Sequence, residues 1–215
     1  MTRIKLTPAA QPIRDPVTKF GGDPVWVGKP AWPLSRSTGR PMRFVCQVAL
    51  DPDKFGARTM AYLFMTDPEP GQEFVDGTWE PYGGENAVVL GPGSFESHVE
   101  LSDLRTGPTL FTVSAVEPGF IGRLLKHPRR TVAQPIEFGI QEIPDSGEEF
   151  EIGTKLEGEP DWLQNEEPPI GTGWHLVAQI DPDGEQSVIN FGDAGVGYMF
   201  VNEDGQRGHF LWQCC

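Results

Sequence analysis

The sequence predicts an α+β fold, predominantly β: an internally duplicated, mostly antiparallel sheet with a few short helices. Three observations carry that expectation. Glycine (26) and proline (21) make up roughly a fifth of the 215 residues, against a usual share of about 12%, which excludes a helical bundle or coiled coil. Apolar residues alternate with a period of two in short runs bounded by turn clusters. The chain also repeats itself: Lys19-Phe-Gly-Gly-Asp-Pro-Val-Trp-Val27 returns as Lys155-Leu-Glu-Gly-Glu-Pro-Asp-Trp-Leu163, and Phe55-Gly-Ala-Arg-Thr-Met-Ala-Tyr-Leu-Phe-Met65 returns as Phe191-Gly-Asp-Ala-Gly-Val-Gly-Tyr-Met-Phe-Val201, each 136 positions on.

Between these blocks, Arg43-Phe-Val-Cys-Gln-Val48 matches His175-Leu-Val-Ala-Gln-Ile180 at an offset of 132. Strict alternation puts Phe44, Cys46 and Val48 on one face and Val45 and Gln47 on the other, with Leu176, Ala178 and Ile180 opposed to Val177 and Gln179 in the same way. Further strands are predicted at 86–90, 109–116, 136–142 and 208–214. Short helices are predicted at 97–104, where Ser97 and Glu100 have capping-box spacing, and at 118–126. Neither half buries its apolar faces alone, so residues 1–215 are expected to form one domain of two related halves, about 15–115 and 135–215. Residues 66–135 should complete the sheet, the acidic 141–167 stretch should run over the surface, and the C-terminus should be tied into a strand.

The formal charge of −14 opposes nucleic-acid binding through phosphates and favours a basic partner. The charge is uneven: residues 1–60 sum to +6 and residues 61–215 to −20. The densest acidic run includes Glu148, Glu149, Glu151, Glu157, Glu159, Asp161, Glu166 and Glu167, opposed only by Lys155. It reads as a solvated loop or as a partner-binding face that steers a cationic protein. Cys46, Cys214 and Cys215 are too few for a disulfide framework and lack zinc spacing; the last two are expected to be a buried pair in a reducing compartment. With no signal-peptide pattern and no apolar run long enough to span a membrane, the expected location is the cytoplasm. The oligomeric state is not fixed, with a monomer favoured.

Taken together, the Lys-Phe-Gly-Gly-Asp-Pro opening, the 41–48 strand, the Lys-Leu-x-Gly-Glu-Pro-x-Trp-Leu-Gln164 repeat, the Leu-Val-Ala-Gln-Ile-Asp-Pro-Asp183 strand, the 190–201 block and the terminal Trp-Gln-Cys resemble the YwqG-like family, a family of unknown function. The resemblance covers about residues 15–215. It implies an α+β fold with extensive sheet and no established catalytic residues, and because some relatives look like neighbours of secreted toxin genes, it implies an immunity role. The sequence departs from the family pattern at Glu157, where Gly is usual.

The paired Gly-acid-Pro-x-Trp loops are the strongest candidates for a site. Trp26 and Trp162 read either as plugs of a duplicated core or, with Trp32 and Trp212, as the walls of a ligand-binding cleft. Gln47, Gln179 and Gln213 sit on apolar strands, where a buried amide must find partners; they either brace the glycine-rich loops or line a polar pocket. Gly192-Asp-Ala-Gly-Val-Gly197 lacks the following helix of a dinucleotide fingerprint and reads as a turn. Asp181-Pro-Asp-Gly-Glu185 lacks the length of a calcium loop. The four histidines show no metal spacing, and no Gly-x-Ser-x-Gly elbow is present, so no cofactor, metal or catalytic residue is assigned. Arg123, Lys126, Arg129 and Arg130 read as a solvated basic patch. The expected function is that of a non-enzymatic binding protein, an immunity-like partner of a basic, toxin-like protein; the alternative is an enzyme or small-molecule sensor with a Trp/Gln-lined cleft between the halves.

Overall fold

The structure is a computed structural model and describes residues 1–68, 75–116, 130–144, 152–182 and 188–215. Ten strands form one antiparallel sheet. Its first half comes from β1 (Thr2–Pro8), β2 (Lys19–Gly21), β4 (Arg43–Ala49), β5 (Met60–Met65) and β6 (Asn86–Gly91). Its second half comes from β10 (Glu137–Glu142), β11 (Lys155–Leu156), β12 (Trp174–Ile180), β13 (Val196–Asn202) and β14 (Gly208–Gln213). Two small ribbons stand apart, one pairing β3 (Trp32–Pro33) with β7 (Leu101–Ser102), the other β8 (Phe111–Val116) with β9 (Arg130–Pro135).

From one edge the sheet runs β6-β5-β4-β2-β10, and from the other β14-β13-β12-β11-β1. The two central strands are exchanged. β1 precedes β2 in the chain yet bonds to β11, while β10 precedes β11 yet bonds to β2. They meet in the middle, with Ile4 opposite Glu142 and Leu6 opposite Ile140. Residues 155–156 of the acidic stretch therefore enter the sheet rather than run over the surface.

The sheet curls until its edges touch. Gly208 of β14 lies against Val88 of β6 so closely that a Cβ there would stand 2.4 Å from the Val88 Cβ. Arg58, buried, seals this seam: its Nε donates to Gly205 O at 2.7 Å and its other nitrogens to Pro92 O and Ser94 O. Edge strands with unpaired backbone groups invite aggregation, and here each edge is backed by the other. Inside the curl lies the main core, with Val45, Cys46, Val48, Leu63, Val177, Ala178, Met199 and Phe210 among its members. A second cluster on the outer face of the first half holds Trp32, Phe44, Tyr62 and Phe64, and a third on the outer face of the second half holds Leu176, Tyr198, Phe200 and Leu211.

Strict alternation fails at one place in each half. The register slips between Phe44 and Cys46 and again between Leu176 and Ala178. A bulge inserts one extra residue and reverses the faces beyond it. Phe44 therefore joins the outer cluster while Val45 and Cys46 both face the inner core, and Leu176 parts from Ala178 in the same way.

The helix expected at 97–104 is absent. Ser97 Oγ instead bonds within its own turn, donating to Val99 O and accepting from Val99 N, and Glu100 O accepts from Leu34 N, so the segment is drawn into β7 beside Trp32. Among the described residues the one helix is α1 (Pro52–Phe55), with Asp51 as its cap and Gly56 at its end; the helix expected at 118–126 lies outside them. The expected cysteine pair is also corrected: Cys214 is half-buried, Cys215 exposed, and both are free. Cys46 is buried and its thiol is pushed up by desolvation.

Candidate functional site

The two Gly-acid-Pro-x-Trp loops are braced by the same side chains. In the first half the Gln47 amide accepts from Val25 N at 2.8 Å and donates to Val17 O at 2.8 Å. In the second the Gln179 amide accepts from Asp161 N at 2.8 Å and donates to Gly153 O at 3.0 Å. Tyr62 OH accepts from Val27 N and donates to Val25 O, and Tyr198 OH accepts from Leu163 N and donates to Asp161 O. Burial pushes both phenols up to about 12. Lys19 and Lys155, each buried at the foot of its loop, reach Glu137 Oε1 at 2.5 Å and Asp161 Oδ2 at 2.7 Å. Satisfied buried networks of this kind fix one loop geometry. The lysines and tyrosines were legible, since both recur at the repeat offset.

The expected Trp/Gln cleft does not form as one site. Trp32 is wholly buried, as are Gln47 and Gln179. Trp26 packs on Tyr62 at 4.8 Å in the first outer cluster, Trp162 on Tyr198 at 4.6 Å in the second. Trp212 stacks on Phe191 and meets Trp79 edge-on. Gln213 holds Gln164 N and Asn165 O. The three glutamines brace the loops, and the tryptophans are dispersed over separate apolar clusters.

A different cleft, about 670 Å³, opens where α1 of the first half meets the loop 157–175 of the second. Glu157, Glu159 and Glu166 give it carboxylates; Trp162, Trp174 and Phe200 give it aromatic surface. Its two basic side chains are Lys54 and His175. Lys54 is already held by Glu157 at 2.7 Å, and that hydrogen bond raises its pKa. The His175 ring packs edge-on against Phe55 at 5.6 Å. Beside the cleft, Ile170 stands 95% exposed, its carbonyl accepting from the Trp174 indole. Carboxylates beside aromatic surface suit an ammonium or guanidinium group, and Trp174 already carries one, the Arg207 guanidinium lying 5.3 Å from its ring centroid.

Of the acidic residues predicted to meet a partner, Glu157, Glu159 and Glu166 line this cleft. Asp161 is committed to Lys155 and Gln179, and Glu167 accepts from Gln213. Glu148, Glu149 and Glu151 lie outside the described residues, as do Arg123, Lys126 and Arg129. Glu157 adopts φ 59°, a left-handed backbone that Gly21, its counterpart 136 positions earlier, reaches at φ 65°. The 192–197 segment leads into β13, a strand, as expected for a turn rather than a phosphate loop. Among the described residues no group of three or more His, Cys, Asp or Glu is placed to hold a metal ion, and no helix is long and apolar enough to cross a membrane.

No family model matches the chain, and no curated protein matches it significantly.

Proposed function

We propose that this chain is a cytoplasmic, non-enzymatic binding protein whose acidic, tryptophan-edged cleft takes a Lys- or Arg-bearing segment of a basic protein, in the manner of an immunity protein. The observation that carries this reading is the cleft itself: the carboxylates of Glu159 and Glu166 and two indoles converge on one concavity, and the nearby Lys54 ammonium is already neutralised by Glu157. The net charge of −14 would speed the encounter with a cationic partner. In the same proposal the chain is an internal duplication of YwqG-like type. The matched Gln-Tyr-Trp contacts of the two loops and the matched bulges support it.

Titration with an Arg-rich peptide should change the Trp162 and Trp174 fluorescence, and the affinity should fall steeply with added salt. A Glu159→Gln/Glu166→Gln variant should weaken binding about ten-fold, the loss of one to two charge-assisted contacts. Binding unchanged by that variant or by salt rejects the cleft. The immunity form has its own test, since failure to co-purify any product of the neighbouring genes at low salt removes it.

A further inference from the structure

A second cleft, about 500 Å³, lies where the start of β4 meets β8 and residues 188–195 ahead of β13. It is chemically opposite to the first. Arg43 is the one charged side chain among the described residues that line it. Its walls mix apolar and polar groups: Val188, Ile189 and Asn190 on one side, Phe111, Thr112 and Val113 of β8 on the other, with Phe111 and Val113 38% and 57% exposed.

The Arg43 side chain is 9% exposed and meets Asp67 through Nη1 at 2.9 Å. Its Nε, buried, has no acceptor. A guanidinium carries its five N–H donors in a planar fork, and the Nε–Nη2 edge matches the two oxygens of a carboxylate. A buried donor left unpaired costs about 1–3 kcal/mol, so the site stands to gain from an oxygen acceptor. Asp67 leaves room for one, since its own carboxylate is partly exposed and occupies only the Nη1 corner.

We infer that this cleft binds a small free carboxylic acid with an apolar body, its carboxylate on the Nε edge of Arg43 and its body between Phe111, Val113 and Ile189. A volume near 500 Å³ lies in the range of small-molecule sites. The site is separate from the acidic cleft, with which it shares no lining residue, so the two readings fail independently.

The test is an amide-detected NMR titration of the full chain with phenylacetate and cyclohexanecarboxylate, each compared with its neutral amide. Shifts are expected at residues 43, 111–113 and 188–190, with each acid binding about ten-fold more tightly than its amide. Val113→Glu, at an exposed rim position that leaves the core intact, should weaken both acids about ten-fold by like-charge repulsion. Arg43→Gln combined with Asp67→Asn, which removes both charges of the buried pair together, should erase the preference for acid over amide. Equal binding of acid and amide, shifts confined to other residues, or no shift with either acid overturns the inference. So does binding of a peptide through its C-terminal carboxylate when neither free acid binds.

Discussion

At the residue scale, Gly21 and Glu157 hold equivalent left-handed positions under different constraints. A Cβ at Gly21 would stand 2.2 Å from Ile136 O, so Gly21→Ala combines a backbone clash with an unfavourable φ and should cost more than about 2 kcal/mol in urea unfolding. Glu157 has room for its side chain and carries only the left-handed strain, roughly 1 kcal/mol. Its ion pair with Lys54 is two-fifths exposed and so contributes little. Glu157→Gly is therefore expected to hold or raise stability by up to about 1 kcal/mol while weakening capture of the Arg-rich peptide. His209 gives a pH signature. It is packed among Tyr82, Trp174 and Phe200, and desolvation, aided by His98, lowers its pKa from 6.5 to about 4. Between those values the unfolded chain binds more protons, so stability falls as pH drops from about 6.5 toward 4 and levels off below, by on the order of 2–3 kcal/mol. Comparing denaturant midpoints at pH 7 and pH 4.5 should show this drop in the native protein and a smaller one in His209→Phe.

At the scale of elements, the loops depend on strands that come later in the chain. Gln47→Met would strip the acceptor from Val25 N and the donor from Val17 O, both in part-buried backbone, and should destabilise by about 2–3 kcal/mol. Gln179→Met should cost about as much, since the same pair of bonds is lost around Asp161 and Gly153. Faster hydrogen exchange at Val25 and Asp161, each only in its own variant, would show that the effect is local to the loop. The strands themselves were legible because their apolar runs are short and bounded by turns. The bulges were not, since nothing in Phe44-Val-Cys or Leu176-Val-Ala distinguishes an extra residue from regular alternation. The segment 97–104 misled for a different reason. Its capping-box spacing is a local preference, and pairing with Trp32-Pro33 outweighs it.

At the scale of the whole molecule, the exchange of β1 and β10 makes each half incomplete without the other. Removing residues 2–8 deletes a strand bonded to β10 on one side and β11 on the other, and it would open two edges in the middle of the sheet. The expected result is loss of the cooperative unfolding transition, or self-association through the freed edges, read by circular dichroism and light scattering. Restoration by the free 1–8 peptide would show that pairing is what is missing. The seam works at the same scale. Arg58 joins the approach to β5, the exit of β6 and the β13–β14 turn through three carbonyls, the farthest of them 147 positions along the chain.

The sequence by itself determined that the fold is predominantly β, that two blocks recur 136 positions apart, and that Gln and Trp residues recur with them. Each of these is written in local spacing, where a period of two or a repeated motif can be read directly. Only the tertiary structure decided which strands are neighbours, that the sheet curls until β6 meets β14, and where the clefts lie. One cleft needs α1 beside residues more than a hundred positions later, the other needs Arg43 beside Ile189, and no local pattern encodes either approach. The acidic stretch was visible from the start, but whether a given carboxylate faces a partner or a buried lysine depends on the side chains that folding brings to it. Asp161 went to Lys155, and Glu159 and Glu166 were left facing the cleft.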